Sequence, residues 1–158
     1  MRKLLVALVV AASCQACISP PPPSELATDA ARDMNLAARF GNLGAAAAHA
    51  AEGERTEFLK RRSEWGESIR ILDTDLAGFE MKGANKAMVY VRITWLRQDE
   101  LNVRNTRIEQ HWRDEQVGGW QLIREKRFDG DIGLFGEHVE RGPAQAKDVH
   151  FPTKVIRE

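Results

Sequence analysis

Apart from Cys14 and Cys17 the chain has no cysteine. Whatever folds downstream of them does so without a disulfide framework and without a cysteine-ligated zinc site. An excess of either charge is also missing. Lys and Arg number 23, Asp and Glu 23; removing Arg2 and Lys3 with the first 13 residues leaves 21 against 23, a net charge of −2. A nucleic-acid binder needs a basic surface to displace phosphate counterions, so nucleic acid is not an expected partner. No G-x-S-x-G, His-Glu-x-x-His, P-loop or pair of C-x-x-C motifs occurs, so nothing supports nucleophilic catalysis and no cofactor is expected. Nothing repeats at a fixed period.

Long apolar runs are scarce as well. Leu4–Ala12 is one, preceded by the positive pair Arg2 and Lys3. It is too short to cross a bilayer as a permanent helix and has the layout of a signal-peptide core. The small residues behind it lead straight into a cysteine, Ala11-Ala12-Ser13-Cys14. This stretch resembles a bacterial lipobox, in which the cysteine becomes the first mature residue and is acylated. Ala11 stands where a Leu is usual. Cys17 is the alternative, but Cys14-Gln15-Ala16 fits the box less well. An ordinary cleaved signal, leaving two free thiols, is the plain reading. The resemblance implies residues 1–13 as signal peptide and an anchor of several acyl chains on Cys14. Each buried methylene contributes about 0.8 kcal/mol, and two or more chains give durable attachment. With Gln15 rather than Asp next to the anchor, the implied address is the outer membrane, facing the periplasm.

Ser19–Ser24, "SPPPPS", reads as a polyproline II spacer, so residues 14–25 form the tether. From Thr28 an Ala-rich helix is expected, with a break at Gly41-Asn42. "LGAAAAHAAEG" predicts a second helix ended by Gly53. "GERTEFLKRRSEWG" predicts a third ended by Gly66, with Phe58, Leu59 and Trp65 on one face, Arg62 beside them, and an i,i+4 pair between Glu57 and Arg61.

After Gly66 the period becomes two. Ile69, Ile71, Ala77, Phe79 and Met81 share a parity that Asp73 and Asp75 interrupt. "AMVYVRITWLR" is apolar on both faces, Val89, Val91, Ile93 and Trp95 against Met88, Tyr90, Thr94 and Leu96. That predicts a central strand covered on both sides. In the next strand Leu101 and Val103 are out of phase with Ile108 and Trp112, which predicts a bulge near Asn105. "WQLIREKRF" predicts a last strand with Trp120, Leu122 and Phe128 on one face. Leu134 and Phe135 are expected to dock, and 137–158 to form a tail. The fold class is α+β: N-terminal helices packed on an antiparallel meander of about four strands.

Helices followed by a bent meander, carried by "RFGNLGAAAAHAAEGERTEFLKRRSEWG", "IRILDTDLAGFEM" and "GGWQLIREKRF", resemble the nuclear-transport-factor-2-like (cystatin-like) domains over roughly residues 26–136. The resemblance implies a cone-shaped pocket between a curved sheet and the helices. It does not imply one activity, because members include isomerases, dehydratases, adaptors and assembly proteins.

Candidate residues follow. Glu109 and His111 share a face and would serve as base and orienting partner in an enzyme, with Tyr90 or Arg92 joining only if the pocket lies on their face. Charged residues alternating along a strand ordinarily line its solvated side, so the plain reading is a surface pair. Arg104 and Arg107 belong to the same strand. Asp73 and Asp75 could abstract protons or bind metal, yet two Asp around a Thr more often mark a bulge. Asp129 and Asp131 look faintly like a calcium loop. With Glu140 at its end the loop would need ligands where Gly133 and Phe135 stand, so a turn and no metal is expected. His49 reads as a helix-end residue, and Trp65, Trp95, Trp112 and Trp120 as core. The expectation is a non-catalytic, lipid-anchored domain that binds an envelope protein or a second copy of itself; the alternative is a small-molecule carrier or an isomerase- or dehydratase-like enzyme.

Overall fold

The computed structural model describes residues 20–100 and 102–138. The apolar run, Cys14, Cys17, Leu101, Glu140 and residues 139–158 of the expected tail lie outside the described residues, while Glu137 is held by the Gly133 and Phe135 N–H groups. Among those described, no helix is long and apolar enough to cross a membrane.

Helices α1 (Pro23–Arg39), α2 (Leu43–Ala48) and α3 (Glu52–Arg61) precede strands β1 (Ile69–Met81), β2 (Lys86–Arg97), β3 (Val103–Asp114) and β4 (Trp120–Gly130). The strands form one antiparallel sheet in the order β1-β2-β3-β4. The fold class is thus α+β, helices first and an open four-stranded meander second.

Helix α1 starts earlier than Thr28. Pro22 is extended and Pro23 occupies the first turn, where a missing N–H costs nothing, so the helix begins inside the segment read as tether. Asn42 breaks the chain as expected and caps α2, its Oδ1 accepting from the Ala45 N–H at 3.2 Å. Gly53 does not end α2; it lies inside α3. The helix stops at His49 because the sheet claims the next residues. Leu122 N–H donates to the His49 carbonyl and Ala51 N–H to the Leu122 carbonyl, both at 2.9 Å. Gly66 likewise does not end α3, which stops at Arg61; at φ +87° it makes the turn into β1. The Glu57–Arg61 pair does not form, for Arg61 is engaged by Glu54 and Glu125.

The helices cover one face of the sheet. Val89, Val91, Ile93 and Trp95 of β2 are fully buried there with Ile108, Trp112, Leu122, Met34 and Phe58. Each such side chain contributes roughly 1.5–3 kcal/mol when buried. Strand β2 is central, but among the described residues helices cover only one of its sides. Met88, Tyr90 and Thr94 are half-buried on a face that no helix occupies among the described residues.

Bulges decide which side chains join that bare face. In β1 the register skips Leu72 and Ala77. The buried phase therefore shifts twice, and Asp73 and Asp75 turn outward without interrupting the core. The irregularity expected near Asn105 is not in β3 itself: β2 and β3 pair without a shift from Lys86↔Arg113 to Leu96↔Val103, and the shift opposite Arg107 and Ile108 belongs to β4. Val103 simply faces the bare side. The skipped residues are Ile123 and Phe128 of β4. Phe128 is consequently not aligned with Trp120 and Leu122 but lies 53% exposed. Leu59 also stays outside the core, while Leu134 is buried and Phe135 packs against it.

Candidate functional site

Two polar assemblies sit on opposite faces of the sheet. The first is internal. Ile123 is skipped, so Glu125 points among the helices with its side chain fully buried. Arg62, the residue that caps α3, meets it bidentately: Nη2 donates to Oε2 at 2.8 Å and Nη1 donates to Oε1. Arg61 Nε adds a third bond at 3.1 Å and also pairs with Glu54. Gln110 Nε2 reaches Glu125 Oε2 at 3.4 Å and exchanges amide bonds with Asn35 of α1 at 3.0 and 3.1 Å. The Arg62 guanidinium lies 3.7 Å from the Phe58 ring centroid and 4.8 Å from that of Trp65. Burial alone would raise the Glu125 pKa. The charges and hydrogen bonds of Arg62, then Arg61, outweigh it and hold the carboxyl below its ordinary range. Burial pulls the other way on Arg61, yet Glu125 and Glu54 leave its pKa raised. The sequence pattern shows Arg62 beside its helix face but gives no sign of Glu125, Gln110 or Asn35. A bulge has no one-residue signature, and only the bulge brings Glu125 inside.

The second assembly covers the bare face. Cross-strand pairing lays out three rows there: Asp75, Arg92, Arg107, Asp129; then Gly78, Tyr90, Glu109, Lys126; then Glu80, Met88, His111, Arg124. Glu109 and His111 do meet, with Nε2 of the imidazole 2.6 Å from Oε1. Lys126 Nζ lies 3.2 Å from the same oxygen. The Glu109 side chain is 9% exposed and that of His111 36%. Burial favours a higher Glu109 pKa; the bonds from His111 and Lys126 override it and the carboxyl lies below its usual range. A neutral imidazole in this geometry donates from Nε2 and keeps the Nδ1 lone pair. The pair can accept and relay a proton, but it faces away from the helix-covered interior.

Tyr90 is on the same face. Its ring lies over Gly78, where a Cβ would come within 3.2 Å of Cδ2, and meets Phe128 edge-on with centroids 5.3 Å apart. Arg107 stacks on Phe128 at 5.7 Å and pairs with Asp129. That pairing and the Gly130 N–H hold the Asp129 carboxyl below its usual range. Ala77, Tyr90, Arg107 and Phe128 line an open pocket of about 280 Å³.

The other expected residues separate. Asp73 is tied to Arg39 at 2.8 Å. Asp129 is not in the expected turn but in β4, paired with Arg107, while Asp131 accepts the Asn105 N–H at 2.7 Å and closes the end of β4 on β3. Arg104 pairs with Glu100 and covers Trp95. His49 is at the C-cap of α2, and all four Trp are core. Among the described residues no group of three or more His, Cys, Asp or Glu could hold a metal ion. A separate cleft of about 440 Å³ opens between the end of α1 and the start of β1, lined by Arg39, Phe40, Trp65, Arg70 and Ile71 among others.

No protein-family model matches the chain, and no curated protein does. A similar solved structure is that of a SEC-C motif containing protein from Rhodopseudomonas palustris, with a TM-score of 0.53 and 16% identity over 63% of this chain and 77% of that one. At that identity the likeness shows the fold alone.

Proposed function

We propose that the chain is an envelope lipoprotein, anchored through Cys14, whose nuclear-transport-factor-2-like domain is a non-catalytic binding or assembly module. One observation carries the binding role. The sheet keeps a whole face free of helices among the described residues, and its centre combines an aromatic pair with opposed charges. The interior, by contrast, is filled: Trp95, Trp112, Arg62, Phe58 and Met34 have no exposure, and Glu125 is saturated with partners. The anchor rests on the Leu4–Ala12 run that stops at Ala11-Ala12-Ser13-Cys14, with Cys17 as the alternative. A second reading, a carrier or enzyme for a small molecule, is favoured by the 440 Å³ cleft, whose size suits a metabolite.

Native mass spectrometry of the full-length protein, extracted gently from its own membrane, tests both. The expected spectrum shows an acylated Cys14 and a complex with a second protein chain. A small molecule retained on a monomer would shift the assignment to the carrier reading. An unacylated mass would overturn the envelope address.

A further inference from the structure

The middle of the bare face has an arrangement that the sheet alone does not need. Arg92 and Arg107 stand directly opposite each other on neighbouring strands. Like charges so placed destabilise an antiparallel pair. Arg107 is matched by Asp129, but Arg92 has no ion pair or hydrogen bond among the described residues, and it is exposed. Asp75, its neighbour across β1, makes no ion pair with it either. One guanidinium is therefore held in place and a second is free beside it.

Next to them lies the 280 Å³ pocket, lined by one skipped residue from each edge strand. Ala77 and Phe128 are each a skipped residue, of β1 and β4, and their levels in the sheet differ by one residue. Bulges of this kind re-aim side chains. Here they bring Phe128 across β3 onto Tyr90. The volume suits one apolar side chain better than a whole metabolite.

From this geometry we infer that Arg92 and Arg107 grip a carboxylate of an acidic segment of another protein, while an apolar residue next to that carboxylate packs on Tyr90 and Phe128. The inference rests on the binding-module reading and names the chemistry of its partner. Planar guanidinium pairs suit carboxylate oxygens in fixed, forked geometry. A second copy of this chain fits worse. A two-fold axis running along the row Asp75, Arg92, Arg107, Asp129, or crossing it at its midpoint, sets guanidinium against guanidinium.

The test uses the full-length protein in its native cell, with the photo-crosslinking residue p-benzoylphenylalanine replacing Met88, one row beyond Tyr90. Crosslinked peptides are identified by mass spectrometry with and without Arg92→Glu. Arg92 has no partner to lose, so that variant folds, which circular dichroism verifies. The expected product joins Met88's position to an Asp- or Glu-containing peptide of a different protein. Its yield falls about tenfold in Arg92→Glu, the loss typical of reversing an interfacial charge, and returns when the partner's acid is exchanged for Lys. A crosslink to a second copy of this chain, or one to another protein indifferent to Arg92→Glu, overturns the inference and leaves the binding-module reading standing. Absence of any protein crosslink overturns both.

Discussion

Arg62 closes on Glu125 from the end of α3 with neither side chain reaching solvent, and the pair ties the helical layer to β4. Breaking a buried pair on one side strands the other charge, which costs about 3–5 kcal/mol. Arg62→Met and Glu125→Leu should each lose stability of that order in urea unfolding. The double variant should recover part of the loss, because burying neither charge avoids the desolvation that one stranded charge suffers. Losses that simply add would show that the two residues are not coupled.

The same carboxylate sets the response to acid. Its folded pKa lies below the unfolded value, so the unfolded chain binds more protons in the acid range. The stabilisation is complete above the ordinary Glu pKa of about 4.3 and is lost as pH falls through the lower folded value. Thermal melts between neutral pH and pH 3 should show the midpoint dropping below about pH 4. In Glu125→Gln the neutral midpoint should be lower and the acid limb shallower. Equal acid slopes in the two proteins would remove Glu125 from the explanation.

Two glycines should behave in opposite ways. Gly130 has φ +89°, and a Cβ there would stand 2.3 Å from the Asn105 carbonyl oxygen, a backbone atom with no freedom to retreat. Gly130→Ala should cost more than about 1 kcal/mol. Gly53 lies within α3 with open space around it, so Gly53→Ala should gain about 0.5–1 kcal/mol. Chemical denaturation of both variants reads the contrast directly.

Register makes a further prediction at β4. Leu122 is fully buried and Phe128 lies on the bare face, although an unbroken alternation would put the two together. Leu122→Ala should cost about 2–5 kcal/mol. Phe128→Ser should cost only about 0.5–1.5 kcal/mol, the worth of its contact with Tyr90. Comparable losses at both sites would mean that the Ile123 and Phe128 bulges are absent.

For the bare-face pair the observable is a tautomer. With Nε2 of His111 donating to Glu109, nitrogen-15 spectra of the neutral ring should report the proton on Nε2. In Glu109→Gln the preference should weaken without loss of fold. A ring protonated mainly on Nδ1 in the parent protein would show that the hydrogen bond does not hold in solution.

Element types were largely readable from the chain. The switch from a 3.6-residue to a two-residue period after Gly66 marks where helices give way to strands. Asn42, Lys82–Asn85 and Asp114–Gly119 separate the elements where turn chemistry demands. The four Trp and Met34 declare the core. What alternation could not convey is the phase within β1 and β4, because each skipped residue inverts the pattern behind it. That is why Phe128 looked internal and Glu125 did not register. Gly53 misled for another reason: α2 ends where Leu122 of a distant strand binds the His49 carbonyl, a contact without local sequence signal. Of the bare-face site, the shared side of Glu109 and His111 was legible from parity. The opposition of Arg92 and Arg107 requires the strand register.

The two skipped residues of β1 have a last consequence, for how neighbours can approach. Strand β1 is a sheet edge of 13 residues, long enough to recruit a foreign strand. Leu72 and Ala77 interrupt its hydrogen-bonding rhythm at two points, and Arg39 occupies the Leu72 carbonyl at 2.7 Å. An incoming chain would find no more than a few consecutive groups to zip onto. Proteins crowded side by side should therefore not polymerise through this edge.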